Sequence, residues 1–361
     1  MRIAIVQDYL RGGGTEKHSI LLANFFHERD YEVVLMRFRP GGALESRLKA
    51  PSIVLQPFDT RLNFLAPGLF KQLIQWKPDV VLCMGHEANL RVAAIKRRLP
   101  GIPVVGTLRS GKPLTRRLFL SAKAADAVVA NSNWASQRAQ KKGITAAKLH
   151  LINNLLGFNI AELAPQGAGA DIRREFDTKD DDAVLINVAG FRRKKGQAEL
   201  LAMLSPILNL GGVVLWLVGD GPELERCRKL AIVLGVAGAV RFTGRRDDVF
   251  ELLKAADICV HASRTESQPN ALIEAQSAGL PVVALDIAGV GEAFQHGHSG
   301  VLIKSNDTAG FLEAVTMLIR DPKVRDSYGR AGREFALAKF DDGRNSLAYV
   351  ELFEELVGPE L

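Results

Sequence analysis

Several protein classes are excluded by what this 361-residue chain lacks. It has only three cysteines, Cys83, Cys227 and Cys259, set among apolar neighbours with no metal-like or redox-like spacing. They read as reduced core residues of a cytoplasmic protein, which excludes a disulfide scaffold. Long hydrophobic runs are missing too: Ala231 to Val240 is apolar but carries two glycines, and it covers about half of the roughly 20 residues that span a bilayer. No transmembrane helix is expected. The first residues, Met-Arg-Ile-Ala-Ile-Val-Gln-Asp, enter a strand pattern at once without a small-residue cleavage site, so no secretory leader is expected. Aromatic residues make up 7%, and few stand among the basic clusters where bases could stack, so nucleic acid is not an expected partner. No Ser-His-Asp constellation or nucleophile elbow can be read. His296-Gly297-His298 has no third ligand nearby and Asp180-Asp181-Asp182 precedes a strand instead of following one, so no metal site is expected.

What is present has the profile of a globular enzyme: 47% of residues are hydrophobic and 24% charged. The length exceeds one ordinary doubly wound domain and suits two, each with its own core. Short β-rich runs at Ile3-Val6, Val33-Met36, Val80-Cys83, Val104-Gly106 and Ala127-Ala130 alternate with helical patterns. A second series follows at Val184-Val188, Val213-Val218, Val240-Phe242, Ile258-Val260 and Val282-Ala284. Such alternation predicts an α/β protein of two Rossmann-like, doubly wound parallel sheets with helices on both faces. The Pro/Gly-rich stretch Leu163 to Ala170 predicts the join, giving domains of residues 1–165 and 166–342. Open parallel sheets bind ligands beyond the carboxyl ends of their strands, and two facing sheets would bind in the cleft between them. Function is therefore to be sought in the loops after strands.

The net charge of +7 is unevenly spread. Residues 1–165 carry 24 Lys and Arg against 11 Asp and Glu, whereas the remainder carries 23 against 29. Arg91, Lys96, Arg97 and Arg98 form one basic cluster; Arg109, Lys112, Arg116, Arg117 and Lys123 form another. Solvated helix faces would explain them, as would an anionic membrane leaflet, each charge near the lipid adding about 1 kcal/mol, or an acceptor that bears phosphate.

Four loops could carry chemistry. Arg11-Gly12-Gly13-Gly14-Thr15-Glu16-Lys17 stands between a strand and a helix, where glycines and a helix N-terminus would admit an anion; a tight turn is the plain alternative, since neither the dinucleotide fingerprint nor a Walker lysine is present. In Gly190-Phe191-Arg192-Arg193-Lys194-Lys195-Gly196, four cations sit where a helix dipole disfavours them. An anion such as a diphosphate accounts for the cluster. Gly219-Asp220-Gly221-Pro222-Glu223 is a turn first and a ligand loop second, with Pro222 placed as a first helical residue. In Ser263 to Ala275, Glu266 falls on a loop and Glu274 in the second turn of an apolar helix beginning around Pro269. A carboxylate there needs a partner. The two glutamates stand on the order of 10 Å apart by helix rise, beyond the about 5 Å of a retaining glycosidase pair, so holding hydroxyls of one extended ligand is the better role.

These residues together resemble the retaining GT-B glycosyltransferases of family 4. The resemblance rests on Gly219-Asp220-Gly221-Pro222-Glu223, Val240-Arg241-Phe242-Thr243-Gly244, Ala256-Asp257, Glu266 and Glu274 in the E-x7-E spacing, and Ala278-Gly279-Leu280-Pro281-Val282-Val283. Gly13-Gly14-Thr15-Glu16 is similar to the family's GG-x-E loop, and Arg192 with Lys195-Gly196 to its R…KG. The lipopolysaccharide-core glucosyltransferases are a similar branch. The resemblance implies a metal-independent transferase, without cofactor, moving sugar from a UDP-, GDP- or ADP-sugar to a glycan or glycolipid, at the inner face of the cell membrane. It assigns the departing diphosphate to Arg192 and Lys195, donor-sugar hydroxyls to Glu266 and ribose hydroxyls to Glu274. Ser267, Gln268, Pro269 and Asn270 would line the phosphate site. Arg245 and Gly219 would lie on the donor side, with Gly13 and Gly14 closing over it. A C-terminal helix at about 343–361 would return to the first domain. The family's domain join reads P-N-G-V-D, whereas this chain has Ile152-Asn153-Asn154-Leu155-Leu156-Gly157; its first-domain histidine is replaced by Thr107-Leu108-Arg109. His86, Arg109 and Lys112 are the acceptor-side candidates. A sugar-nucleotide epimerase of the same architecture and a non-enzymatic nucleotide-sugar-binding protein are the alternatives.

Overall fold

The computed structural model describes residues 1–55, 68–111, 113–157 and 168–358. The chain divides into two compact units, one of Met1–Gly157 with Asp341–Leu361 and the other Phe158–Phe340. The expected join near 165, and all of Leu163 to Ala170 before residue 168, lie outside the described residues. Ala168, Gly169 and Ala170 open a helix, Ala168–Glu175, instead of ending a linker.

The first unit is built on strands β1 (Arg2–Gln7), β2 (Glu32–Arg37), β3 (Ser52–Val54), β4 (Val80–Cys83), β5 (Val104–Leu108), β6 (Ala127–Ala130) and β7 (Leu149–Leu151). Its sheet is all parallel in the order β3-β2-β1-β4-β5-β6-β7. Side chains of β1 and β4 are buried on both faces, which is why these strands read as unbroken apolar runs without alternation. The chain winds outward from β1 in one direction and from β4 in the other, so the crevice beyond β1 and β4 is the switch point where such a sheet takes a ligand.

In the second unit β8 (Ala183–Val188), β9 (Val213–Val218), β10 (Val240–Gly244), β11 (Ile258–His261), β12 (Val282–Asp286) and β13 (Gly300–Lys304) form a parallel sheet. Its order is β10-β9-β8-β11-β12-β13, placing the switch point between β8 and β11. The register runs from Ala183 beside Val213 to Val188 beside Val218, so both strands end level. One core cluster draws on Leu185, Phe191, Leu204, Leu215, Val260 and Phe311.

The helix Asp342–Val357 belongs to the first unit. Its Tyr349, Val350, Leu352 and Phe353 enter the core cluster formed by Ile3, Ile5, Leu22 and Phe26. The Phe26 and Phe353 rings lie 5.9 Å apart between centroids. Asp341 caps the helix by accepting from Arg344 N at 2.6 Å. Because Phe353 is fully buried, Phe353→Ala should cost about 3–5 kcal/mol, read as a lowered urea midpoint with an unchanged denaturant slope.

Candidate functional site

The loops after β8, β9, β11 and β12 are drawn together by backbone contacts at the carboxyl edge of the second sheet. Phe191 N donates to Asp220 O at 2.9 Å and Arg264 N to Lys194 O at 2.8 Å. Gln197, buried at the start of the helix Gln197–Leu208, donates to Ala189 O at 3.1 Å and holds the strand end in place. Gly196 has φ +75°, and a Cβ there would stand 2.0 Å from Ala262 O. Only glycine lets the basic loop press so closely onto the end of β11. Glu223 N donates to Phe191 O at 3.2 Å, which holds Gly221 to Glu223 as a turn. The following helix therefore begins at Leu224 with Glu223 as its cap, so Pro222 is a turn residue and not the first helical one.

This closure brings Lys195 and Glu266 together across the switch point. The Lys195 Nζ to Glu266 Oε1 distance is 2.5 Å. The Glu266 side chain is 12% exposed and that of Lys195 24%, so the pair is largely out of solvent. His261 Nε2 stands 3.6 Å from the same Oε1. Burial alone would raise the Glu266 carboxyl; the neighbouring imidazole and the ammonium of Lys195 outweigh it and hold the group down at about 2. Arg192, which caps the 3-10 turn Arg193–Lys195, is exposed, and among the described residues its guanidinium has no partner. The cation cluster thus splits, one member locked on a carboxylate and one open to a ligand.

The remaining donor-side candidates lie on the same edge. Ser267, Gln268 and Pro269 are buried just before the helix Asn270–Ser277, and Glu274 is 9% exposed within it. Gly289, with φ +80°, fits beneath Ser267, where a Cβ would be 1.8 Å from the carbonyl oxygen. Gly219 takes φ +139° against Ala189 O, and exposed Arg245 follows β10.

The first unit has a cavity of about 180 Å³ beyond β1, β4 and β5, its own switch point. Asp8 lies on its wall, accepting from Glu87 N at 3.1 Å and Ala88 N at 2.9 Å; burial raises its carboxyl despite those bonds. Exposed His86 opens the short helix His86–Asn89 on the same wall, and Trp134 adds an indole. Arg109 also lines the cavity but is engaged from behind, donating to Asn154 Oδ1 at 2.6 Å and to Tyr349 Oη at 3.5 Å. Tyr349 is 3.3 Å from His18 Nε2, and His18 Nδ1 accepts from Leu155 N at 3.4 Å. That bond places the His18 proton on Nε2. Burial and the Arg109 charge keep this imidazole neutral, well below its ordinary value. Arg109 therefore ties the C-terminal helix to the cavity wall, a task no local pattern signals. Gly13 caps the helix Gly14–His27 in extended conformation, and neither Gly13 nor Gly14 has positive φ; a Cβ at Gly13 would stand 2.2 Å from the Glu16 carboxylate, which packs against it. Lys112 lies outside the described residues.

Residues 170–335 match the model of the Glycosyl transferases group 1, and residues 12–156 that of Glycosyltransferase Family 4. The chain belongs to these glycosyltransferases and has their GT-B fold. This transferase is similar to the lipopolysaccharide core biosynthesis glycosyltransferases LpsE and LpsD of Rhizobium meliloti. Identity to LpsE is 27% over 346 residues, 95% of this chain and 96% of that one; identity to LpsD is 26% over 352 residues, 95% of each. HepE of Anabaena, solved with UDP and glucose, superposes with a TM-score of 0.86 at 24% identity, covering 98% of this chain and 99% of that one. Among the described residues of the transferase, no group of three or more His, Cys, Asp and Glu is arranged to hold a metal, and no helix is long and apolar enough to cross a membrane.

His261 and Asp8 are the residues that sequence reading passed over. Each is a polar residue closing an apolar strand run, which is the one signal that could have found them. A group whose folded carboxyl is held down at about 2, against an ordinary 4.5, adds stability that is present above pH 4.5 and is lost as pH falls toward 2. Glu266→Gln should therefore be less stable than the parent by roughly 1–3 kcal/mol at pH 7, and the gap should close as acid is added; chemical denaturation from pH 7 to 3 reads it.

Proposed function

We propose that the chain is a retaining, metal-independent hexosyltransferase that moves sugar from a nucleotide diphosphate sugar to a glycan or glycolipid during lipopolysaccharide or other cell-surface polysaccharide synthesis. The observation that carries this reading is the Lys195 and Glu266 pair at the β8/β11 switch point with an unpartnered Arg192 guanidinium on the same loop. Two cations beside a buried carboxylate suit a ligand that has phosphates at one end and sugar hydroxyls at the other. Support comes from the lipopolysaccharide-core relatives and from HepE, which was solved with UDP and glucose. UDP-sugars are accordingly the first donors to test, with GDP- and ADP-sugars after them.

In this mechanism Arg192 and Lys195 neutralise the diphosphate as the bond from the anomeric carbon to its oxygen breaks. Charge that develops on the leaving oxygens meets preorganised cations, which stabilises the transition state more than the ground state. The acceptor hydroxyl attacks the same face, and its proton passes to the departing phosphate. Glu266 holds donor-sugar hydroxyls, Glu274 the ribose, and Ser267 to Asn270 line the phosphates; Gly219 and Arg245 complete the donor side. The acceptor belongs in the first unit's cavity, beside His86 and Arg109, with Lys112 nearby in sequence. Lys195→Ala should lower the turnover number by about 10²–10³ while leaving the thermal transition cooperative. Near-normal turnover with any donor would remove the phosphate assignment.

We assign the basic face of the first unit to an anionic leaflet. Lys96 is bound to Asp126 at 2.9 Å and Arg91 to Glu87 at 3.4 Å. Arg97, Arg116, Arg117 and Lys123 are exposed, and the helix Arg116–Ala124 also shows Leu120 at 52% to solvent. That helix packs against Val92–Arg98, so cations and leucine share one face. Arg116→Glu with Arg117→Glu should weaken binding to phosphatidylglycerol vesicles roughly tenfold or more and leave the weak binding to phosphatidylcholine unchanged in a sedimentation assay. Equal binding to both vesicle types in the parent would remove the assignment.

A further inference from the structure

His261 closes β11 with its side chain 2% exposed, and among the described residues neither ring nitrogen has a hydrogen-bond partner. Its neighbours leave the same kind of gap. Ser263 Oγ is buried and unbonded, and Asn187 on the adjacent strand spends its amide on Val260 O at 2.8 Å while its Oδ1 has no partner. Unpaired polar atoms this deep are costly, and their concentration at a switch point marks a place where bonding is completed in another state. The Nε2 of His261 is aimed at one atom in particular, standing 3.6 Å from Glu266 Oε1. That oxygen is the one Lys195 already holds.

A diphosphate alone gains little by drawing Lys195 away, because Glu266 would be left largely buried without its counterion; sugar hydroxyls reaching Glu266 make the exchange favourable. A small rotation of either side chain brings His261 within hydrogen-bond range of Oε1. Resting on the donor reading above, we propose that His261 is a positioning residue that takes over Glu266 from Lys195 when the donor binds, aiming the carboxylate at the sugar while the lysine moves to the phosphates. The imidazole touches neither sugar nor phosphate. Its N–H serves Glu266 alone, and no proton is transferred.

Two ligands separate this role from a packing role. UDP and GDP carry phosphates but no donor sugar, whereas UDP-glucose and GDP-mannose carry both. Calorimetric titration of the full chain with all four should show His261→Met weakening the nucleotide sugar by about tenfold or more, with the affinity for the matching diphosphate changed by less than about threefold. His261→Gln, which keeps an N–H donor, should restore most of the sugar-dependent affinity. The diphosphate serves as the internal check on folding. Equal loss of diphosphate and nucleotide sugar in His261→Met means that the histidine only supports the fold, and unchanged nucleotide-sugar affinity means that it does not hold Glu266; either result overturns the proposal. Failure of the parent to bind any of the four, or ADP and ADP-glucose, overturns the donor reading itself.

Discussion

A carboxylate on the β11 loop held by an ammonium on the β8 loop is the contact on which the second unit's site depends. The strand order places β8 and β11 side by side although 69 residues lie between Val188 and Ile258 in sequence. The left-handed Gly196 and its close approach to Ala262 then let the basic loop reach across. Without that approach, Lys195 would sit in solvent with the other cations and Glu266 would be a buried charge in search of a partner, which costs several kcal/mol. Sheet topology, one glycine and one ion pair thus form a single chain of causes.

The first unit handles its polar groups in a different way. Arg109, Tyr349, His18, Asn154 and the Leu155 amide form a chain of bonds within the unit, although the buried Arg109 Nε has no partner among the described residues. A neutral His18 fits between a donor and an acceptor, and the network fastens the C-terminal helix to the strand ends that line the cavity. Its rigidity holds the cavity wall in shape. The second unit's edge keeps its polar atoms partly unpaired instead, with Arg192 open and His261 unbonded.

Most of the fold was legible because parallel strands buried on both faces must be continuously apolar; all ten expected runs became strands, nine of them interior and one, β10, at a sheet edge. The three unpredicted ones, β3, β7 and β13, are edge strands. Half exposed, Ser52-Ile53-Val54 and Leu149-His150-Leu151 lack the unbroken apolar character that marks a central strand. The site was legible where charge was misplaced by local rules: cations at a helix start and glutamates in an apolar stretch pointed to a ligand. His261 was not, because its meaning lies in an oxygen five residues on that only the loop's path brings near. The bonds of Arg109 were not legible either; besides Asn154 it reaches Tyr349, 240 residues away, and no local pattern encodes that.

A buried ion pair is poor evidence for stability, since two apolar residues of similar size often do as well. The pair between Lys195 and Glu266 is better understood through the state without ligand. An open site with a bare carboxylate and a bare ammonium would draw in water and counterions, and every binding event would have to displace them. Pairing the two groups lets each neutralise the other until phosphate and hydroxyls arrive, so binding becomes an exchange of partners within the protein. Such an exchange favours only a ligand that satisfies both groups at once. A free phosphate would strand the glutamate and a free sugar would leave the cations unanswered, so the joined molecule is selected by the cost of half-occupied states. On the proposed donor reading, specificity for an intact nucleotide sugar would follow from this exchange, before any shape of sugar or base is considered.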